Sequence, residues 1–275
     1  MTNILLPTDF SDNAWSAIVY TLKLYQHETC KFYLLNSQKV TSSRMASFSN
    51  KLLTTMLENS KKDMLKLKAQ VEATNTNSNH EFEVIVSLGD LDDAIESSVL
   101  KHKIDLIAMG TKGATGAKGI LFGSNTAKIF KKVKNCPILA IPNDYEFNAP
   151  KQIAFPSDFN HYCDAKELSY LKKLADLYNS KIRVIHINDK EKLNEKQEGN
   201  LNTLKEYLKD YEHSIHIVPS HKSKEISIQD FIDDLNIDIL AMVYYSHSFI
   251  DSILREPVIK KIAFHLKVPF LVIPE

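Results

Sequence analysis

Five of the seven glycines in this 275-residue chain fall within one fourteen-residue stretch, at Gly110, Gly113, Gly116, Gly119 and Gly123. Glycine is required where the backbone takes a positive φ or where another group must come close to the main chain. Such a cluster marks a loop shaped for something to lie against it. The apolar run 104–109 before it reads as a buried strand, and 124–133 after it reads as a helix. In a strand, glycine loop, helix order, the loop N–H groups and the positive end of the helix converge on one point, an arrangement suited to phosphate. The competing reading is a surface loop that uses glycine only to turn, but long glycine loops inside compact domains are usually functional.

The spacing excludes the two common nucleotide motifs. No Gly-Lys-Ser/Thr closes the loop, and no G-x-G-x-x-G opens the first strand-to-helix turn. What stands instead is Gly110-x-x-Gly113, nine residues, then Gly123-Ser124. This resembles, residue for residue, the ATP-binding signature of the universal stress protein family. The resemblance implies ATP as the ligand, with Mg where a metal accompanies the triphosphate.

On that resemblance, Asp9, just past the first strand, accepts hydrogen bonds from the ribose hydroxyls, although a helix-capping role is open to it as well. Ser37 ends the second strand where the family meets the adenine edge with backbone groups and a small apolar residue. The serine departs from that pattern, so only its main chain carries over. Met109 and Gly110 form an apolar, open floor under the nucleoside, with core filling as the alternative for Met109. Gly113 and Gly116 let the loop wrap the phosphates. Ser124 both caps its helix and donates its hydroxyl, and the N–H groups of Ser124, Asn125 and Thr126 are first-turn donors that an anion can satisfy. Lys112 and Lys118 read as solvated lysines.

The elements that must position these residues come from an internal repeat. The opening Asn3-Ile4-Leu5-Leu6-Pro7-Thr8-Asp9-Phe10 returns as Gln152-Ile153-Ala154-Phe155-Pro156-Ser157-Asp158-Phe159. Further along, 103–109 is echoed by 236–242 and 136–142 by 268–274. Short apolar runs alternate with helical patterns in each half, predicting an α/β fold of two tandem Rossmann-like domains, each a five-stranded parallel sheet with helices on both faces. Strands are expected near 3–7, 31–36, 82–87, 104–109 and 137–141, then 152–156, 181–187, 214–218, 238–243 and 269–273. Helices are expected near 11–27, 44–74, 91–101 and 124–133, then 162–178, 191–211, 225–235 and 257–266. The domains are 1–146 and 147–275, joined by the short linker 143–150. So short a linker suggests an intramolecular pseudo-dimer, with the last strands of the two halves meeting as the family's do across its dimer axis. A further homodimer remains open.

The second half has lost the loop. With Met109 aligned to Met242, Val243, Ser246, Phe249 and Ser252 replace the glycines, and Glu256-Pro257 replaces Gly123-Ser124. Proline lacks an N–H to give a phosphate, and glutamate repels one. Tyr244, Tyr245, His247 and Phe249 could line a site for another ligand or simply pack locally.

Composition adds exclusions. The chain has 44% hydrophobic residues, 25% charged residues and zero formal net charge. It therefore has no basic footprint for nucleic acid, and it has neither a membrane-length apolar run nor a signal-peptide pattern, which places the expected protein in the cytoplasm. Cys30, Cys136 and Cys163 lack metal or disulfide spacing. His213 and His216, three apart on a strand, point to opposite faces, so no metal site is expected. An ATP-binding regulatory module in stress response is the favoured function, with an unidentified protein partner. The alternative is a slow ATP-hydrolysing or adenylyl-transferring enzyme, against which stands the absence of an evident general base and of adenylation signature loops.

Overall fold

The computed structural model describes residues 1–39, 50–111, 122–188, 192–220, 222–245 and 267–275. Gly113, Gly116, Gly119, Lys112 and Lys118 lie outside the described residues, as do His247, Phe249, the Glu256-Pro257 pair and the helix expected at 257–266. The chain divides into two compact units, one running to Asp144 and the other beginning at Tyr145.

The first unit contains β1 (Thr2–Pro7), α1 (Asp12–Leu24), β2 (Cys30–Gln38), α2 (Asn50–Thr74), β3 (His80–Leu88), α3 (Leu91–His102), β4 (Leu106–Gly110), α4 (Ser124–Lys132) and β5 (Ile138–Ile141). Its strands are parallel, in the order β3-β2-β1-β4-β5. The second unit contains β6 (Gln152–Pro156), α5 (Ala165–Asp176), β7 (Lys181–Asn188), α6 (Glu195–Leu208), β8 (His213–Pro219), α7 (Lys224–Asp234), β9 (Ile239–Tyr244) and β10 (Phe270–Pro274). Its strands are again parallel, in the order β8-β7-β6-β9-β10. Among the described residues, no helix is long and apolar enough to cross a membrane.

Central strands covered on both faces become continuous apolar runs, and Ile4, Leu5, Leu6, Phe32, Leu34, Leu35 and Ile107 are all fully buried. The helices present stripes to these faces: α1 buries Ala14, Ala17, Ile18 and Thr21, and α5 buries Leu168, Leu171, Leu174 and Ala175, at the three-and-four spacing of an amphipathic helix.

Asp105 and Asp238 account for one part of the sequence repeat. Asp105 accepts from the Asn3 N–H at 2.9 Å, and Asp238 accepts from Lys151 and Gln152 N–H groups at 2.7 and 2.9 Å. Each carboxylate fastens the start of the first strand of its unit to the turn before the fourth. The helices entering these turns also end alike, with Lys103 and Asn236 in left-handed conformation at φ 49°.

The helix that begins at Ser124 is held to its neighbour by an ion cluster. Asp92, 4% exposed on α3, receives hydrogen bonds from Lys128 and Lys132 of α4, each at 2.7 Å. Lys132 also pairs with Asp93 and Glu96. Burial alone would raise the Asp92 carboxyl, but the two lysine hydrogen bonds outweigh it and hold the group down at about 2. A carboxyl depressed in the folded state stabilises above its unfolded value near 3.8, and that contribution fades as pH falls from about 4 toward about 2. Asp92→Asn is expected to destabilise the first unit by about 2 kcal/mol at pH 7, the scale of a hydrogen bond to a charged group. The difference from wild type should close below pH 2. Urea titrations followed through Trp15, the single tryptophan, measure it.

Candidate functional site

In each unit the chain runs outward from the first strand through the second to the third, then returns to the opposite side of the first to form the fourth. The connections leaving the carboxyl ends of the first and fourth strands diverge, and ligands of doubly wound sheets bind in that crevice. In the first unit it is bounded by Thr8 and Asp9 after β1 and by Gly110 and Thr111 at the end of β4.

Asp9 is exposed. Its Oδ1 accepts from the Ser11 N–H at 3.1 Å and from the Ser11 hydroxyl at 2.5 Å, while Ser11 Oγ accepts from the Ala14 N–H and so caps α1. The cap is Ser11, and Asp9 braces it. Asp158 makes the matching contact, accepting from the Asn160 N–H at 2.8 Å. Between brace and cap, Phe10 is left-handed at φ 63°, and Phe159 repeats this at φ 57°. The hydroxyls of Thr8 and Ser157 accept from the N–H groups of these phenylalanines and stabilise both turns.

Strand β2 continues past its expected end at Asn36 to Gln38, because the Asn36 side chain is spent on neighbours rather than on a turn. Its amide donates to the Thr8 carbonyl at 2.7 Å, and its Oδ1 accepts from Gln38 and from buried Ser60 on α2. Sequence reasoning names Asn36 with Ser37 only as the end of the strand; a polar residue inside an apolar strand was the available signal for its side chain. The Ser37 hydroxyl donates to the Gly89 carbonyl at 3.0 Å. Alternate residues of a strand address alternate neighbours. The Leu35 carbonyl accepts from the Thr8 N–H, so the Ser37 N–H and carbonyl face the same side, beyond the final β1 pair of Pro7 with Leu35.

Met109 is 6% exposed beside Ala140, and Gly110 lies against α1. A Cβ on Gly110 would stand 2.5 Å from Asn13 Nδ2 and 2.7 Å from Asn13 Cγ, so close packing is what demands glycine here. Asn13, 6% exposed, is a second residue that sequence reasoning missed. The segment between Thr111 and Gly123 is closed at its base: the Gly123 N–H donates to the Thr111 carbonyl at 2.7 Å, and the Thr126 hydroxyl donates to the Gly110 carbonyl at 3.2 Å.

Gly123, not Ser124, is the N-cap of α4, with φ −60° and ψ 158° and no side-chain cap hydrogen bond. Ser124 is the first helical residue, which corrects its expected capping role. Ser124 and Asn125 are exposed. As in any first turn, the N–H groups of Ser124, Asn125 and Thr126 have no carbonyl one turn earlier to receive them, and no acceptor among the described residues takes their place. The structure therefore gathers Asp9, Ser37, Met109, Gly110, Gly123, Ser124 and Asn125 on elements that end at one crevice.

The cysteines stand apart from this chemistry. Burial pushes the Cys30 thiol up to about 12 and the Cys163 thiol up to about 11, and it pushes Cys136 up as well. Thiols held protonated are poor nucleophiles. Among the described residues, no group of three or more side chains is placed to hold a metal ion.

Residues 1–142 match the model of the universal stress protein family. Universal stress protein MJ0577 of Methanocaldococcus jannaschii is 30% identical over 157 residues, covering 50% of this chain and 93% of that protein. A universal stress protein from Archaeoglobus fulgidus DSM 4304 has the same fold over 99% of this chain and 96% of its own, with a TM-score of 0.75 at 19% identity. A protein of unknown function from Pseudomonas aeruginosa PAO1 follows over 100% and 92%, with a TM-score of 0.59 at 13% identity. The chain belongs to the universal stress protein family.

Proposed function

We propose that the first unit binds ATP and that the protein works in the cytoplasm as a nucleotide-responsive regulatory module in stress response. The observation that carries this reading is the start of α4 at the mouth of the crevice. Three first-turn N–H groups, at Ser124, Asn125 and Thr126, have no acceptor among the described residues, and the preceding residue is a glycine with no side chain to stand in the way. Together with the positive end of the helix they suit a phosphate. Beyond the end of β1, the main-chain donor and acceptor of Ser37 suit the edge of an adenine, and Met109 suits the face of the nucleoside. Mg2+ carried in with the triphosphate would take its ligands chiefly from phosphate oxygens and water.

A binding role is favoured over catalysis because Asp9, the carboxylate at this crevice, already holds the cap of α1 through Oδ1. It is badly placed to draw a proton from water. The test compares ATP with a non-hydrolysable analogue in thermal unfolding. Both should raise the melting temperature alike, by the equivalent of about 2.7 kcal/mol at a ligand concentration 100 times the dissociation constant.

Ser124→Pro should lose the shift. Proline suits the first helical position, and the extended Gly123 backbone is what a following proline requires, so the helix survives while one donor is removed. Turnover near ~10 per second, abolished by Ser124→Pro, would establish the enzymatic alternative instead.

A further inference from the structure

Among the described residues, the crevice of the second unit is open. A cavity of about 430 Å³ opens at the carboxyl ends of β6, β7 and β9, within the size range of small-molecule sites. It lies where α5 starts late. The helix after the first strand begins three residues beyond Asp9 in the first unit but seven beyond Asp158 in the second. The additional turn places His161 and Cys163 in the cavity wall.

The wall has a defined character. The His161 ring stacks on Tyr245 at 4.3 Å and 12°, and the Tyr245 hydroxyl is committed to Glu167 Oε2 at 3.0 Å. Glu167 is itself fixed in the capping box of α5. Opposite polar contacts are therefore already satisfied, and the pair is held in place as an aromatic surface. The remaining wall mixes apolar side chains, those of Pro156, Ile185, Ile187, Ile228, Met242 and Val243, with Ser157 and three charged residues. Strand register sets Ile187 where the first unit has Ser37, so the edge of the site has become more apolar. Val243 stands at the counterpart of Gly110.

Among the described residues, the charged side chains at the cavity are the carboxylates of Asp158 and Glu225 and the ammonium of Lys224 at the first turn of α7, with His161 Nδ1 3.8 Å from Asp158 Oδ1. This balance gives no surplus of positive charge to hold a triphosphate. It does supply anionic acceptors: Asp158 Oδ1 takes the Asn160 N–H at 2.8 Å, while Oδ2 has no partner among the described residues.

We propose that this cavity binds a phosphate-free, uncharged ring compound of nucleoside size, its ring on the apolar and aromatic walls and its hydroxyl or amino donors on Asp158. The proposal does not rest on ATP binding by the first unit. The test uses the full-length chain with isoleucine methyl groups labelled for NMR, and adenosine and ATP as the probes.

Adenosine should shift the methyl resonances of Ile187 and Ile228, and ATP should leave them in place. Ile107 and Ile141, on the first unit's β4 and β5, report separately on that unit. Asp158→Asn should weaken adenosine roughly tenfold, equivalent to about 1.4 kcal/mol, and Ile187→Trp should abolish the shifts by filling the cavity. Should Ile187→Trp fail to fold, Asp158→Asn still decides. The proposal is overturned if adenosine leaves Ile187 and Ile228 unmoved, if ATP moves them equally, or if Asp158→Asn binds adenosine as wild type does.

Discussion

Gly123→Glu is expected to reduce ATP affinity at least 100-fold while leaving the far-ultraviolet circular dichroism unchanged. The backbone at Gly123, φ −60° and ψ 158°, is open to any residue, and no side-chain cap is lost because glycine supplies none. The fold should accept the substitution. The new carboxylate would sit at the N-terminus of α4, beside the N–H groups of Ser124 and Asn125, where it would compete for those donors and repel a phosphate. Two charges ~4 Å apart interact by about 1 kcal/mol in water and about 4 near a protein surface, and a 100-fold loss corresponds to about 2.7 kcal/mol. Isothermal titration measures the affinity directly. Unimpaired binding would show that the phosphates lie elsewhere.

The second large effect is expected at the turn both units share. Phe10 and Phe159 both hold left-handed backbones, which costs an L-residue about 1–2 kcal/mol. Their side chains fare differently. Phe159 is 1% exposed and stacks on His186 at 4.7 Å, whereas Phe10 is 44% exposed. Phe159→Ala should therefore destabilise the second unit by about 3–4 kcal/mol, as expected for truncating a buried phenylalanine. Phe10→Gly should stabilise the first unit by up to about 1 kcal/mol, since glycine removes the backbone penalty and little burial is lost. Circular dichroism follows the whole chain, so Phe159→Ala should lower its transition midpoint. A midpoint unchanged by Phe159→Ala would contradict the expectation.

Much of this was legible in the sequence, for reasons that can be traced to particular residues. The strand expected at 152–156 has those bounds, because an apolar run ended by proline admits few alternatives. The parallel sheets follow from alternating strand and helix patterns, and the crossing point follows from the parallel order. Helix starts were less legible. The helix expected from Tyr162 begins at Ala165, after an N-cap at Asp164 whose box with Glu167 was written in the sequence as Asp-x-x-Glu. The one expected from 191 begins at Glu195 behind Asn194, again with a box, to Gln197. In both, apolar periodicity was followed at the expense of the capping residues.

At the site, composition revealed the glycines but not the reason for each. Gly110 answers to Asn13, a contact between residues 97 positions apart that no local pattern encodes. Nor does local sequence show that the Asn36 side chain reaches the Thr8 carbonyl.

The late start of α5 also bears on how the two copies can still change. Reverting Val243, Ser246 and the Glu256-Pro257 pair to their first-half counterparts would restore the wording of the glycine motif. It would leave His161 and Cys163 in the crevice wall, because the backbone that carries them lies outside α5, which begins only after Asp164. Matching the first crevice would also take a further helical turn ahead of Ala165, which the motif residues do not supply. The two crevices thus differ in backbone path as well as in side chains, so exchanging residues between them does not exchange their shapes.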